Sequence, residues 1–315
     1  MGSPERRLRI ALTLGDPGGI GPEIISKALS RADVRELGKF VVFGQKALIE
    51  ADVEVSDAGH PVPAEAAHTH RPTADGGRAS VAWILAAIEA AQSGDVDAVV
   101  TAPISKEAMK LGGHSWPGHT EILKEKTGAE RAVMTMVGGG LRVALVTTHM
   151  AVADVPAALT REDIHDTTTI TDNALRRYFG CRAPRIAVCA LNPHAGESGM
   201  FGDEDEEVIA PAIESARAQG VDCTGPVPAD VVFHQALKGN YDAVVAMYHD
   251  QGTIPVKLLA FETGVNVTLG LPIIRTSPDH GTAYDIAGQG IADPGSMVEA
   301  IRLAASMAAR KRAPD

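Results

Sequence analysis

Three histidines occupy matching places in the sequence. His149 closes "LRVALVTTH", His194 closes "PRIAVCALNPH", and His249 follows the apolar core of "YDAVVAMYHDQG". Each stands at the downstream end of an apolar, strand-like run. A single histidine so placed reads most simply as a hydrogen-bonded structural residue. Three can share a task, because three neutral imidazoles make a sound ligand shell for a divalent cation and leave positions open for substrate oxygens. The intervals of 45 and 55 residues, from 149 to 194 to 249, match no compact zinc motif. That spacing points to a catalytic metal rather than a structural one.

Groups suited to an anionic substrate accompany them. "PGHTEIL" sets His119 and Thr120 at the start of an expected helix, where free backbone N–H groups attract anions. Lys257 lies eight residues after His249, and Asn266 and Arg275 follow at intervals of nine. Lys257 and Arg275 are embedded in "IPVKLLAF" and "LPIIRTSP", apolar settings where an unpaired charge is costly. Near a bound metal they would hold phosphate or carboxylate, the arginine in bidentate fashion.

Two glycine-rich stretches are less specific. "LTLGDPGGIGPEI" has the order strand, loop, helix, but its glycines do not spell the dinucleotide fingerprint, and Pro22 and Glu23 account for much of it as helix initiation. Its open loop, which contains Asp16, still lets backbone approach a ligand. "SPDHGTAYDIAGQGIADPGS" is a polar loop entering a helix, and turn chemistry explains several of its residues.

The elements that must position these groups alternate along the chain. Apolar runs at 9–14, 40–43, 98–101, 143–148, 186–190 and 243–248 suit strands covered on both faces. Helical stretches are expected at 21–29, 79–92, 163–178, 204–218 and 296–309. The order predicts an α/β protein with much parallel pairing, in which residues at the carboxyl ends of strands converge on ligands. The segment 52–78 has no clear period and reads as a surface excursion. With 315 residues, 45% of them hydrophobic, the chain suits about two domains. Its net charge of −11, without a basic tract, argues against nucleic acid or an anionic membrane as partner. Cys181, Cys189 and Cys223 form no CxxC pair and read as buried, inert thiols. The uncharged run before Gly15 is too short for a signal-peptide core, and no run reaches the roughly 20 apolar residues of a membrane helix, so a cytoplasmic protein is expected.

Taken in order, "GDPGGIGPE", "TAPISK", "PGHTE", "TTH", "NPHAGE", "MYHDQG" and "GVNVTLGLPIIRTSPDHGTAYDIAG" resemble the 4-hydroxythreonine-4-phosphate dehydrogenase family over nearly the whole chain. The segment "HGTAYDIAG" also looks like the adenosine-binding loop of the related isocitrate and isopropylmalate dehydrogenases. The resemblance implies their α/β/α fold: two domains with a cleft, built on mixed, largely parallel sheets. A cofactor domain would comprise 1–120 with 265–315, and a substrate, metal and dimerisation domain 121–264. His149, His194 and His249 match the family's metal ligands, in a site built at a homodimer interface with groups from both subunits. Zinc is favoured for that site, with cobalt or magnesium as alternatives. His119, Thr120, Lys257, Asn266 and Arg275 match substrate contacts, Asp230 and Asp250 acidic residues near the metal, and His280, Gly281 and Asp285 the cofactor loop. Asp285 suggests NAD, because a carboxylate accepts bonds from ribose hydroxyls and repels a 2′-phosphate.

The implied activity is metal-dependent, NAD-linked oxidation with decarboxylation of a phosphorylated four-carbon hydroxy acid. Lys257 would assist proton transfer or bind substrate. "TAPISKEAMKLGGHSWPGHTE" looks closer to the branch acting on 4-phospho-D-threonate or 4-phospho-D-erythronate than to the pyridoxine-biosynthetic branch. Retention of Lys257, Asn266 and Arg275 argues against a dihydrodiol dehydrogenase. A metal-dependent hydrolase or aldolase using the same histidines is the competing class.

Overall fold

The computed structural model describes residues 6–57, 59, 61–67 and 69–313, so the first five residues of the N-terminal stretch lie outside the described residues. Eleven strands follow one another: β1 (Arg9–Thr13), β2 (Lys39–Phe43), β3 (Glu54–Ser56), β4 (Ala98–Thr101), β5 (Val133–Gly138), β6 (Leu141–Leu145), β7 (Ile186–Cys189), β8 (Cys223–Val227), β9 (Ala243–Ala246), β10 (Val265–Leu269) and β11 (Arg275–Pro278). The chain divides into two compact units, Met1–Ala132 with Leu271–Asp315, and Val133–Gly270.

In the first unit the strands run β3-β2-β1-β4-β11, all parallel. "RIALT" and "AVVT" are rich in β-branched residues and almost wholly buried, as strands covered on both faces must be. The excursion at 52–78 holds more structure than its composition suggested: the edge strand β3, a short helix Ala64–Ala67, and the first turn of the helix Ala74–Gln92. That helix starts five residues before the expected 79 because Thr73 caps it, its hydroxyl accepting from the Gly76 N–H at 3.0 Å. The Gly76–Gly77 pair concealed the start, and Gly77 has a packing reason. A Cβ there would stand 1.8 Å from the Ala108 carbonyl oxygen. β11 was not expected as a strand, since "RTSP" is polar. It is buried because its polar groups are paired: the Thr276 hydroxyl donates to the Ala300 carbonyl at 2.8 Å.

In the second unit the order is β10-β5-β6-β9-β7-β8. β10, β5 and β6 pair antiparallel, whereas β6, β9, β7 and β8 are parallel. Gly139 and Gly140 turn the β5–β6 hairpin with φ of 58° and 86°, the two positive angles that a tight hairpin turn demands. Met136, Val143, Leu145, Cys189, Val244 and Val256 form its core, each fully buried apolar side chain contributing roughly 1.5–3 kcal/mol.

A helix, His249–Ala260, begins at the residue expected to end a strand. Gly252 and Pro255 hid it. Gly252 is required because a Cβ would come within 2.4 Å of Leu145 Cδ2, so the helix lies hard against β6. Cys189 and Cys223 are buried, and burial pushes their thiols up, as inert groups require; Cys181 is half-buried. Among the described residues no helix is long and apolar enough to cross a membrane.

Candidate active site

β6, β9 and β7 are neighbours in one parallel array, with Leu145 level with Ala246 and Val188 level with Val245. Their carboxyl ends therefore open on the same edge, and His149, His249 and His194 follow those ends by a few residues each. His149 and His249 meet: their ring centroids lie 5.6 Å apart with the planes tilted by 39°. Both line a cavity of about 440 Å³ with Thr148, Met150, Tyr248 and Asp250. Two imidazoles on one tetrahedral cation have centroids about 5–5.5 Å apart, from a metal–nitrogen bond of about 2.0–2.1 Å, and the pair here stands just outside that spacing.

The local sequence orients His249. Its Nδ1 lies 2.7 Å from Asp250 Oδ1. A carboxylate only accepts, so Nδ1 carries the proton and Nε2 keeps its lone pair for a metal. Gln251, two residues on, is buried and ties the start of the helix to two strands. Its Oε1 accepts from the Met247 N–H and its Nε2 donates to the Ala190 carbonyl, both at 2.7 Å. "HDQG" thus reads as strand-end imidazole, orienting carboxylate, tether and close-packing glycine.

His194 lies on a different kind of backbone. From His194 to Gly199 every φ is positive: 52°, 55°, 80°, 45°, 57° and 83°. Four of these residues are not glycine, and each such conformation costs on the order of 1–2 kcal/mol. Asp205, fully buried, holds the entry to this left-handed segment by accepting from the Leu191 and Asn192 N–H groups at 2.9 and 3.0 Å. Asp205→Ala is expected to lower stability by about 3 kcal/mol, since a buried carboxylate that accepts two backbone bonds is lost. Urea midpoints of the two proteins measure this. Among the described residues no three His, Cys, Asp or Glu side chains form a metal-holding group. The chain brings two of the three imidazoles together, and His194 is exposed.

In the first unit Arg275 on β11 is only 3% exposed, and its Nε and Nη2 donate to Thr101 Oγ1 at 3.2 and 2.7 Å. Burial pushes its pKa down to about 9, the mark of a cation whose desolvation an anion would offset. His119 opens the helix His119–Thr127, followed by Thr120. Its Nε2 is buried with no hydrogen-bond partner. Burial, and then the charge of Arg275, hold its pKa well below the usual imidazole range, so it is neutral. The buried Arg275 is therefore near enough to the half-buried His119 for its charge to be felt there.

The other expected residues are placed singly. Lys257 is half-buried in the helix His249–Ala260, about 12 Å along its axis from His249 at 1.5 Å per residue. Asn266 is half-buried on β10. Asp230 is exposed in the first turn of the helix Ala229–Leu237, where the helix dipole alone favours an acid. Asp250 is exposed and orients His249. His280, Gly281 and Asp285 are exposed on the loop after β11, and a Cβ at Gly281 would meet nothing within 4 Å. Sequence reasoning missed Gln251, Thr101, Asp205 and Tyr284. Only Gln251 carried a signal, an amide beside the histidine at a strand end.

A family model described as pyridoxal phosphate biosynthetic protein PdxA matches residues 23–304. The chain is 50% identical to the 4-hydroxythreonine-4-phosphate dehydrogenase of Geobacter metallireducens, covering 97% of each. It is 45% identical to a protein of Bradyrhizobium diazoefficiens provisionally described as D-threonate 4-phosphate dehydrogenase, covering 96% of this chain and 98% of that one. Its structure matches that of 4-hydroxythreonine-4-phosphate dehydrogenase from Klebsiella pneumoniae with a TM-score of 0.86 at 41% identity, covering 96% of this chain and 99% of that one. The fold is the isocitrate/isopropylmalate dehydrogenase-like α/β fold that the resemblance implied.

Proposed function

Because this chain belongs to the PdxA family, we propose that it oxidises a phosphorylated four-carbon hydroxy acid with NAD and a divalent metal ion, and that the product then loses carbon dioxide. The observation that supports the metal is the pair His149 and His249, 5.6 Å apart at the level ends of β6 and β9. These two imidazoles, with His194, hold the cation; zinc suits an imidazole shell, and cobalt or magnesium are the alternatives. When bound, the metal supplies a Lewis acid for charge on the alcohol oxygen, and NAD supplies the hydride acceptor. Arg275 and His119 grip an anionic end of the substrate, with the N–H groups at Thr120 beside them. Asp250 keeps the His249 tautomer fixed. Lys257 and Asn266 contact substrate, and the Lys257 ammonium offers a proton to the carbon that loses carbon dioxide. Asp230 lies near the metal in the same reading. Oxidation removes a hydride and a proton from the carbinol. The resulting β-keto acid then breaks its carbon–carboxylate bond, and the electron pair left behind is protonated.

The loop bearing His280, Gly281 and Asp285 takes the adenosine half of the cofactor. The exposed Asp285 carboxylate favours NAD over its 2′-phosphorylated form, whose added negative charge it would repel.

The same reading makes the protein a homodimer with a shared site. Ile254, Leu258 and Phe261 form a stripe at helical spacing, 62%, 83% and 80% exposed, on the element that carries His249 and Lys257. Such an apolar stripe suits a second copy of the chain. The 12 Å between His249 and Lys257 is then spanned by the pairing of protomers, which also completes the three-histidine set. Leu258→Asp is expected to convert the dimer to a monomer in sedimentation velocity.

The experiment that tests the function is NADH production by metal-loaded protein from 4-hydroxythreonine 4-phosphate and from 4-phospho-D-threonate, with and without a chelator. Turnover of at least one, abolished by chelation, is expected; no NADH from either defeats the reading.

A further inference from the structure

The stretch "GDPGGIGPE" is left without a task by the reading above, although it is largely buried. Beside the bond from the Asp16 N–H to the Pro103 carbonyl at 2.8 Å, a set of its contacts runs to the loop 279–292. The Tyr284 hydroxyl donates to Asp16 Oδ2 at 2.8 Å, and Asp16 Oδ1 accepts from the Gly18 N–H at 2.9 Å. Asp16 is 1% exposed. The Ile20 N–H donates to the Thr282 carbonyl at 3.0 Å. Gly19 permits that approach, because a Cβ there would stand 2.8 Å from the same carbonyl oxygen. At the far end of the loop, Glu23 accepts from the N–H groups of Ala292 and Gly290 at 2.8 and 3.3 Å. Lys27 donates to their carbonyls at 2.7 and 2.9 Å. Between these anchors Ala283 takes a φ of 42°, a left-handed conformation that persists only where the surroundings impose it.

We propose that this glycine-rich stretch is a clamp on the loop 279–292, in which Asp16 and Tyr284 are positioning residues that hold Asp285 and Gly281 in the shape a dinucleotide's adenosine half requires. The proposal rests on the reading of that loop as the cofactor site. A loop held in its bound shape spares binding the ordering cost of its backbone, on the order of 1 kcal/mol per residue fixed. Burial raises the pKa of Asp16 despite the hydrogen bonds from Tyr284 and Gly18. The carboxylate is thus desolvated at a cost, and it holds a hydroxyl and a backbone N–H.

The test is Tyr284→Phe in the full-length, metal-loaded enzyme, which removes one hydroxyl without emptying the site. The expected result is a rise in NAD Kd and KM of about tenfold, the scale of one lost hydrogen bond, with kcat within twofold. The KM for the hydroxy acid and the affinity for zinc stay unchanged, which general destabilisation would not produce. Without cofactor, amide hydrogen exchange at 282–287 should quicken about tenfold. Asp16→Asn, which keeps an acceptor oxygen for the tyrosine, should show a smaller effect than Asp16→Ala. Unaltered NAD affinity or unaltered exchange in Tyr284→Phe overturns the clamp. A wild-type protein that binds no NAD instead overturns the cofactor reading on which it rests.

Discussion

His249→Ala is expected to lower kcat/KM by about a thousandfold, roughly 4 kcal/mol of transition-state stabilisation, while the protein stays folded. In the proposed function the loss is large because an imidazole ligand would be removed where negative charge develops. The fold survives because the side chain at 249 carries none of the tethers that start its helix. Gln251 makes those, to Met247 and Ala190, and Gly252 and Val256 make the packing. Steady-state kinetics with circular dichroism and zinc binding separate the two effects. Activity within tenfold of wild type would show that His249 is not a ligand. Asp250→Asn should cost less, because an amide can still accept from Nδ1 and only the charge is lost.

The second large effect belongs to Arg275. Arg275→Met should reduce kcat/KM by a further comparable factor, about a thousandfold, but chiefly through KM. Two charge-assisted hydrogen bonds to an anion, at roughly 1.5–3 kcal/mol each, set that scale. Stability moves the other way. In the ligand-free protein Arg275 is a buried cation whose pKa burial has pushed down to about 9, and methionine fills similar volume without that desolvation. The ligand-free variant is therefore expected to melt at the same temperature as wild type or higher. A variant that loses both stability and activity would mark Arg275 as a structural residue, its bonds to Thr101 being the ones that matter.

These residues were unequally legible in the sequence. His149 and His249 were visible because a polar, ionisable residue ends an apolar run, and strand ends are where α/β proteins place chemistry. That strand-end residues converge was expected, but which two of the three adjoin was not legible, since it depends on β9 lying between β6 and β7, an order no local pattern records. The helix His249–Ala260 was hidden by Gly252 and Pro255, whose breaking tendencies are outweighed by contact with β6. β11 was hidden because Arg275, Thr276 and Ser277 are polar yet buried, the partner of Arg275 lying on β4 and that of Thr276 on the helix Gly295–Arg312. Tyr284 escaped for the same reason, its partner Asp16 lying 268 residues away, whereas Asp205 escaped because the left-handed backbone it anchors has no sequence pattern. Residue type announced the chemistry, whereas the long-range hydrogen bonds that aim it became readable only in three dimensions.

X-ray absorption at the zinc edge, on dimeric protein loaded with one equivalent of zinc per chain, reaches the foundation of this account. Three nitrogen scatterers of imidazole type at about 2.0–2.1 Å are predicted, falling to two in His149→Ala, His194→Ala and His249→Ala alike. An oxygen-only shell, or a spectrum indifferent to all three substitutions, would contradict it.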